Sequence, residues 1–226
     1  MGNYSSTAIE PVLSSMGIGG IQELALSDEL PGVGIHWLDD GELDGVGNVH
    51  ICPTIHTIVL MAKGSPDQSH ASLPTIKNLP SHVKTFVVHT SCRGAAMTGS
   101  HFLAECEHLT SIEFGEGVFS LVSMVTGSFM RNCSGVTSLV FPPGAFQHLT
   151  QINQNFLRGC DALESVAFPP QCFASLKAIH GDFISGCPTL VDVTLPKDGC
   201  AFSKLKFCDG GFLSGCFRLK SISFPD

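Results

Sequence analysis

The element Phe-x-x-x-Cys recurs along most of the chain at Phe102/Cys106, Phe129/Cys133, Phe156/Cys160, Phe183/Cys187 and Phe212/Cys216. The intervals between its cysteines are 27, 27, 27 and 29 residues. After each cysteine an apolar residue follows at +3, +6 and +8: Leu109/Ile112/Phe114, Val136/Leu139/Phe141, Leu163/Val166/Phe168, Leu190/Val193/Leu195 and Leu219/Ile222/Phe224. A unit this short cannot bury its own apolar face. Only stacked neighbours close a continuous core, so the spacing dictates a solenoid.

A second apolar set precedes the later copies: Phe119/Val122/Val125, Phe146/Leu149/Ile152, Phe173/Leu176/Ile179 and Phe202/Leu205/Cys208. Two degenerate copies lie upstream, Cys52-Pro-Thr-Ile55 with Ile58 and Leu60, and Val83/Phe86/Val88 without its cysteine. The main strands therefore start near 55, 83, 109, 136, 163, 190 and 219. Their period-two alternation is that of a strand. Pro142-Pro143 and Pro169-Pro170 end two of them, because proline donates no ladder hydrogen bond. Leu149-x-x-Ile152 reads as a second short strand or an extended turn, and Phe-Leu-x-Gly-Cys as a helical or 3₁₀ turn. The expected fold is an α/β repeat solenoid, strand-rich with short helical or 3₁₀ turns. Residues 51–226 supply about seven turns, and residues 1–50, where only Ile21/Leu24/Leu26 echoes the spacing, are expected as an acidic N-terminal cap.

The pattern Cys-x-x-Leu-x-x-Ile-x-Phe-Pro followed by Leu-x-x-Ile-x-x-x-Phe-Leu-x-Gly-Cys resembles the BspA-like, cysteine-bearing class of leucine-rich repeats over about residues 52–226. That resemblance implies a curved, right-handed leucine-rich-repeat stack used to bind proteins or surfaces. Two departures stand out. The period of 27 exceeds the shorter one usual in that class, and the linker carries an additional aromatic such as Phe146.

Charged residues make up 14% of the chain, well below the roughly 25% of a typical globular domain. The net charge of −8 argues against nucleic acid, whose phosphates require clustered Lys and Arg. All of that excess lies in residues 1–50, which hold eight acids and no Lys or Arg, whereas residues 51–226 hold twelve of each sign. The longest apolar run, Ile58 to Ala62, is too short for a transmembrane segment. No secretory leader is read at Met1, so a cytoplasmic location is expected, with membrane or cytoskeletal association left open. Ten cysteines in a reducing compartment are expected as thiols. Cys52, Cys106, Cys133, Cys160, Cys187 and Cys216 share one repeat position and should stack as a buried column, with Cys92, Cys172, Cys200 and Cys208 outside it.

Few motifs carry chemistry. His50-x-Cys52-x-x-x-His56 has ligand types at short range, but the repeat already explains Cys52 and no second cluster completes four ligands. Asp40-x-Glu42-x-Asp44-Gly45 opens like a calcium loop whose twelfth position is Ile51, where a bidentate Glu is needed. No metal or other cofactor is expected. There is no Gly-x-Ser-x-Gly, phosphate loop or dinucleotide fingerprint, and with ten Cys and ten His coincidental pairs are common, so no catalytic residues are assigned. Met1-Gly2-Asn3-Tyr4-Ser5-Ser6 fits the N-myristoylation pattern, which makes Gly2 a candidate lipidation site and a weak membrane tether.

The outward positions of the main strands form the candidate binding face. One column reads Thr57, Thr85, Ser111, Ser138, Ser165, Asp192, Ser221, and the other Val59, Val87, Glu113, Val140, Ala167, Thr194, Ser223. A freely solvated face would carry Lys, Glu and Arg, so this small and nearly uncharged strip reads as a covered surface: a protein-docking strip, or a face over which residues 1–50 or a long loop folds back. The chain stops at Phe224-Pro225-Asp226, directly after the last strand, which makes Phe224 part of an open C-terminal edge. Residues 197–220 carry Lys197, Lys204, Lys206, Arg218 and Lys220 against Asp198 and Asp209, so an acidic head and a basic tail suit head-to-tail self-association. The leading expectation is a non-enzymatic scaffold that mediates protein–protein interaction, with a role as a structural subunit of a larger assembly. A surface-displayed adhesion or antigen-like receptor, the role the resemblance often implies, is the second, and a cysteine-dependent enzyme the third.

Overall fold

The computed structural model describes residues 32–37, 40–46, 51–62, 72–197, 199–220 and 222. The chain winds as a parallel β-solenoid whose coils contribute short strands or single bridges to three ladders. The first ladder carries β1 (Val33–Trp37), β3 (Thr57–Met61), β5 (Thr85–Val88) and β8 (Ser111–Phe114) in one sheet. β11 (Ser138–Val140), β13 (Ser165–Ala167) and β15 (Asp192–Thr194) continue it in a second sheet. β8 and β11 pack side by side at the seam between the two. The second ladder runs β6 (Met97–Thr98), β9 (Met124–Val125), β12 (Gln151–Ile152), β14 (Ala178–Ile179) and β16 (Phe207–Cys208). The third runs β2 (Leu43–Asp44), β4 (Ile76–Lys77), β7 (His101–Ala104) and β10 (Ser128–Phe129). Parallel bridges Phe129–Phe156, Phe156–Phe183 and Phe183–Phe212 then extend it to the last coil.

The repeat fills this interior with three columns of phenylalanine, twelve of the sixteen in the chain. Phe129 stacks on Phe156 at 4.8 Å and Phe156 on Phe183 at 5.3 Å. The additional linker aromatics form their own column, with Phe119 and Phe146 4.9 Å apart. Across the columns the rings meet edge to face, as at Phe146–Phe156, 5.6 Å and 79°. Stacking within and T-contacts between columns satisfy both favoured aromatic geometries at once. The 27-residue period thus makes room for a third aromatic in each coil. Upstream, Leu43 and Ile76 occupy the position of Phe102 in the third ladder, so that column is aliphatic there.

Several expectations resolve differently. Among the described residues the helical content is a 3₁₀ position at Asp40 and one 3₁₀ segment, Thr90–Gly94, capped by His89, whose ring nitrogen accepts the Ser91 N–H. Phe-Leu-x-Gly-Cys is not a helical turn. Its Phe bridges to the neighbouring coil, and the next residue turns into the left-handed region at Leu103, Met130, Leu157, Ile184 and Leu213, with φ of 51–55°. Leu149-x-x-Ile152 does end in a second strand, β12. β1 falls within residues 1–50, the segment expected as the cap, and pairs in parallel with β3 from Val33↔Thr57 to Trp37↔Met61. The echo at Ile21/Leu24/Leu26 lies outside the described residues.

Candidate functional site

The outer side of the first ladder changes character along its length. Val59 and Val87, expected on an outward docking strip, are 1% and 2% exposed. With Met61 they form a small cluster separate from the core, against which Val33, Ile35 and Trp37 pack. Thr57, Thr85 and Ser111 are half-buried. Beyond the seam the face opens: Ser138, Asp192 and Thr194 are exposed, Ser165 and Ala167 half-buried, and Val140 is 71% exposed. Thr194 Oγ1 donates to Asp192 Oδ2 at 3.3 Å. Ser221, Ser223, Phe224 and the lipidation candidate Gly2 lie outside the described residues. Ile35, Trp37 and Met61 were missed as members of this face. The alternation in Val33-Gly-Ile-His-Trp37 was the available signal, hidden because it lies outside the 27-residue register.

Glu113 sits where the covered half meets the open half. It pairs in register with Val87 across β5 and β8, and its repeat equivalent one coil on is Val140. The side chain is half-buried, and Oε2 is shielded from solvent with no hydrogen-bond partner. Burial without a counter-charge pushes its carboxyl above the usual range.

The cysteine column has a specific structural cause. At the left-handed corners of Leu103, Met130, Leu157 and Ile184 the carbonyl turns inward, and the cysteine of the next coil donates to it. Cys133 Sγ reaches Leu103 O at 2.8 Å, Cys160 reaches Met130 O at 3.2 Å, Cys187 reaches Leu157 O at 3.3 Å and Cys216 reaches Ile184 O at 3.1 Å. Burial pushes Cys92 and Cys106 up to about 12, and Cys133 well above its ordinary value. The neighbouring Cys160 thiol, together with burial, pushes Cys187 up to about 12. Cys52 does not join this column. In its coil Leu43 takes the Phe position, nine residues before Cys52 instead of four, so Cys52 falls out of register and is exposed. Its Sγ lies 3.1 Å from Thr54 Oγ1, and that hydrogen bond holds the thiol below its ordinary pKa.

The acidic triplet near the first coil is engaged by neighbouring groups. Lys77 Nζ lies 2.8 Å from Glu42 and 3.3 Å from Asp44, and Asn78 Nδ2 donates to Asp44 Oδ1 at 3.0 Å. The Asn78 hydrogen bond foremost lowers the Asp44 pKa, and Glu42 raises that of Lys77. Asp40 Oδ2 accepts the Trp37 N–H at 3.2 Å. His50 lies outside the described residues, and among the described ones no three His, Cys, Asp or Glu converge as metal ligands. Likewise no described helix is long and apolar enough to cross a membrane.

The last described coil is the other unusual surface. Phe202, Leu205, Phe212, Leu213, Cys216 and Leu219 are half-buried, whereas the matching Phe173, Leu176, Phe183, Ile184, Cys187 and Leu190 are fully buried. Phe207 and Phe217 are 48% and 86% exposed, and Lys197, Lys204, Lys206, Arg218 and Lys220 are all exposed.

No protein-family model matches the chain. No curated protein matches it either. Among solved structures it is similar to the leucine-rich repeat protein of T. pallidum, with 17% identity over 87% of each chain and a TM-score of 0.35. At that level of superposition the solenoid assignment rests on the chain's own three ladders. This chain is a repeat solenoid.

Proposed function

We propose that this solenoid is a non-enzymatic scaffold of leucine-rich-repeat type that binds a partner protein, in the cytoplasm, on the open half of its first ladder. The observation that carries this reading is Val140, 71% exposed on a strand face and flanked by the small side chains of Ser138, Ser165 and Ala167. A flat apolar strip without long charged side chains desolvates cheaply, which favours docking.

The test is site-specific photo-crosslinking in the native source, with a photoreactive phenylalanine at position 140 or 167 and a control at exposed Lys177, directly before β14 of the second ladder. Crosslinking of one discrete protein from 140 and 167, and not from 177, is the expected outcome. Equal labelling from all three positions, or none from the first two, would overturn the reading.

A further inference from the structure

The two outward columns are built from Ser, Thr, Val and Ala, and their described members include two charged residues, both acidic: Glu113 and Asp192. They differ in circumstance. Asp192 is exposed and accepts the Thr194 hydroxyl, whereas Glu113 Oε2 is shielded from water and has no partner. A shielded carboxylate without a hydrogen bond is costly, and Val, Ala or Thr would fit its column at no such cost. Local choices that oppose the rest of a fold concentrate at functional positions. The location reinforces this. Glu113 stands at the edge of the covered cluster formed by Val59, Met61 and Val87, at the seam where β8 meets β11, with exposed Val140 at the next position of its column.

We propose that the partner segment docking on this face is basic and aliphatic, and that it places one Lys or Arg against Glu113 while its aliphatic side chains cover Val140 and Ala167. This deepens the docking reading above and rests on it. Charge complementarity selects the segment. The carboxylate has already lost part of its hydration in the free protein, so an arriving cation regains an interaction with less desolvation than a fully solvated pair would require. No base stands in either column to compete for Glu113.

The probe is a library of random linear peptides displayed on phage and selected against the full 226-residue chain. Affinities of the selected peptides are then measured for the parent, Glu113→Gln and Val140→Ser, with circular dichroism verifying that each variant folds. Expected are peptides enriched in Lys or Arg beside Val, Ile or Ala, weakened at least tenfold by either substitution. Replacing the peptide's basic residue with norleucine should cost the same factor in the parent and almost nothing in Glu113→Gln, as a double-mutant cycle requires. Peptides weakened by Val140→Ser yet within twofold on Glu113→Gln would overturn the basic-partner inference and leave the docking face standing. Peptides indifferent to both substitutions, or no peptides recovered, would count against both.

Discussion

Cys160 donates its thiol hydrogen to the carbonyl of Met130, 3.2 Å away and one coil back, and that carbonyl faces inward because Met130 has a φ of 52°. The recurring cysteine is therefore the buried donor that a left-handed corner requires. Cys160→Ala strands the Met130 carbonyl and leaves a void, for an expected loss of about 1–3 kcal/mol in urea unfolding. Cys160→Ser keeps a donor and should lose less than Cys160→Ala. Equal losses for the two would remove the hydrogen bond as the reason for the cysteine.

Thiol labelling by iodoacetamide at pH 8 should divide the cysteines by place in the fold. Cys52 is exposed and its thiol is held below the ordinary value by Thr54, so it should react first, followed by exposed Cys200 and Cys208. Buried Cys92, Cys106 and Cys187, with thiols raised to about 12, and Cys133, raised well above its ordinary value, should label only on unfolding. Peptide mapping by mass spectrometry reads the order. Early labelling of Cys133 would contradict the buried column.

Stability should depend on pH through Glu113. Its pKa is higher in the folded chain than in the unfolded one, so the fold favours the protonated form. That contribution is complete below the unfolded value of about 4.3 and is lost as the pH rises through the folded value. Glu113→Gln should therefore melt at a higher temperature than the parent at pH 7, and the difference should shrink towards pH 4. A pH-independent difference would show that the carboxyl's charge is not its cause.

Two glycines should respond differently to alanine. A Cβ at Gly127 would collide with the backbone carbonyl of Ser100 on the adjacent coil, and neither backbone can yield without breaking the ladder. At Gly144, with φ of 79°, the nearest atom to a new Cβ is 3.7 Å away, so the cost is that of the left-handed backbone alone. Chemical denaturation should show about 1–2 kcal/mol lost for Gly144→Ala and at least about 3 kcal/mol for Gly127→Ala. The reverse order would mean that the coils are further apart than described.

The aromatic columns predict a similar contrast. Phe146 is fully buried and meets Phe119, Phe129, Phe141, Phe156 and Phe173, so Phe146→Ala should cost about 3–5 kcal/mol. Phe217, 86% exposed, should tolerate Phe217→Ser within about 0.5 kcal/mol in the isolated chain. A large loss at Phe217 would place that ring in a contact within the chain.

How far the sequence could be read depended on how often a position is sampled. The interior is filled by the same residue type coil after coil, so a constant spacing announced the stack and the three apolar positions of its first strand, while the segment ending at Ile152 stayed open between a strand and an extended turn until the structure showed β12. Where the repeat decays, the register was lost. Cys52 looked like a column member because Cys-Pro-Thr matches Cys187-Pro-Thr, yet Leu43 holds the aligned position. β1 went unread because Val33–Trp37 alternates like a strand but stands 24 residues before β3, not 27.

Sequence alone determined that the chain stacks, because units of this length leave an apolar face that only a neighbour can cover. It also determined which side chains face inward, since that alternation is written into every copy. Tertiary structure alone decided how the corners turn. Phe119, Phe146, Phe173 and Phe202 have φ of 58–66°, a conformation bulky residues avoid in isolation and hold here because both neighbouring coils fix the backbone. It alone also decided which part of the outward face is open. Val59 and Val140 occupy equivalent outward positions, and burial separates them because it depends on what lies above a residue in space, which no local pattern encodes.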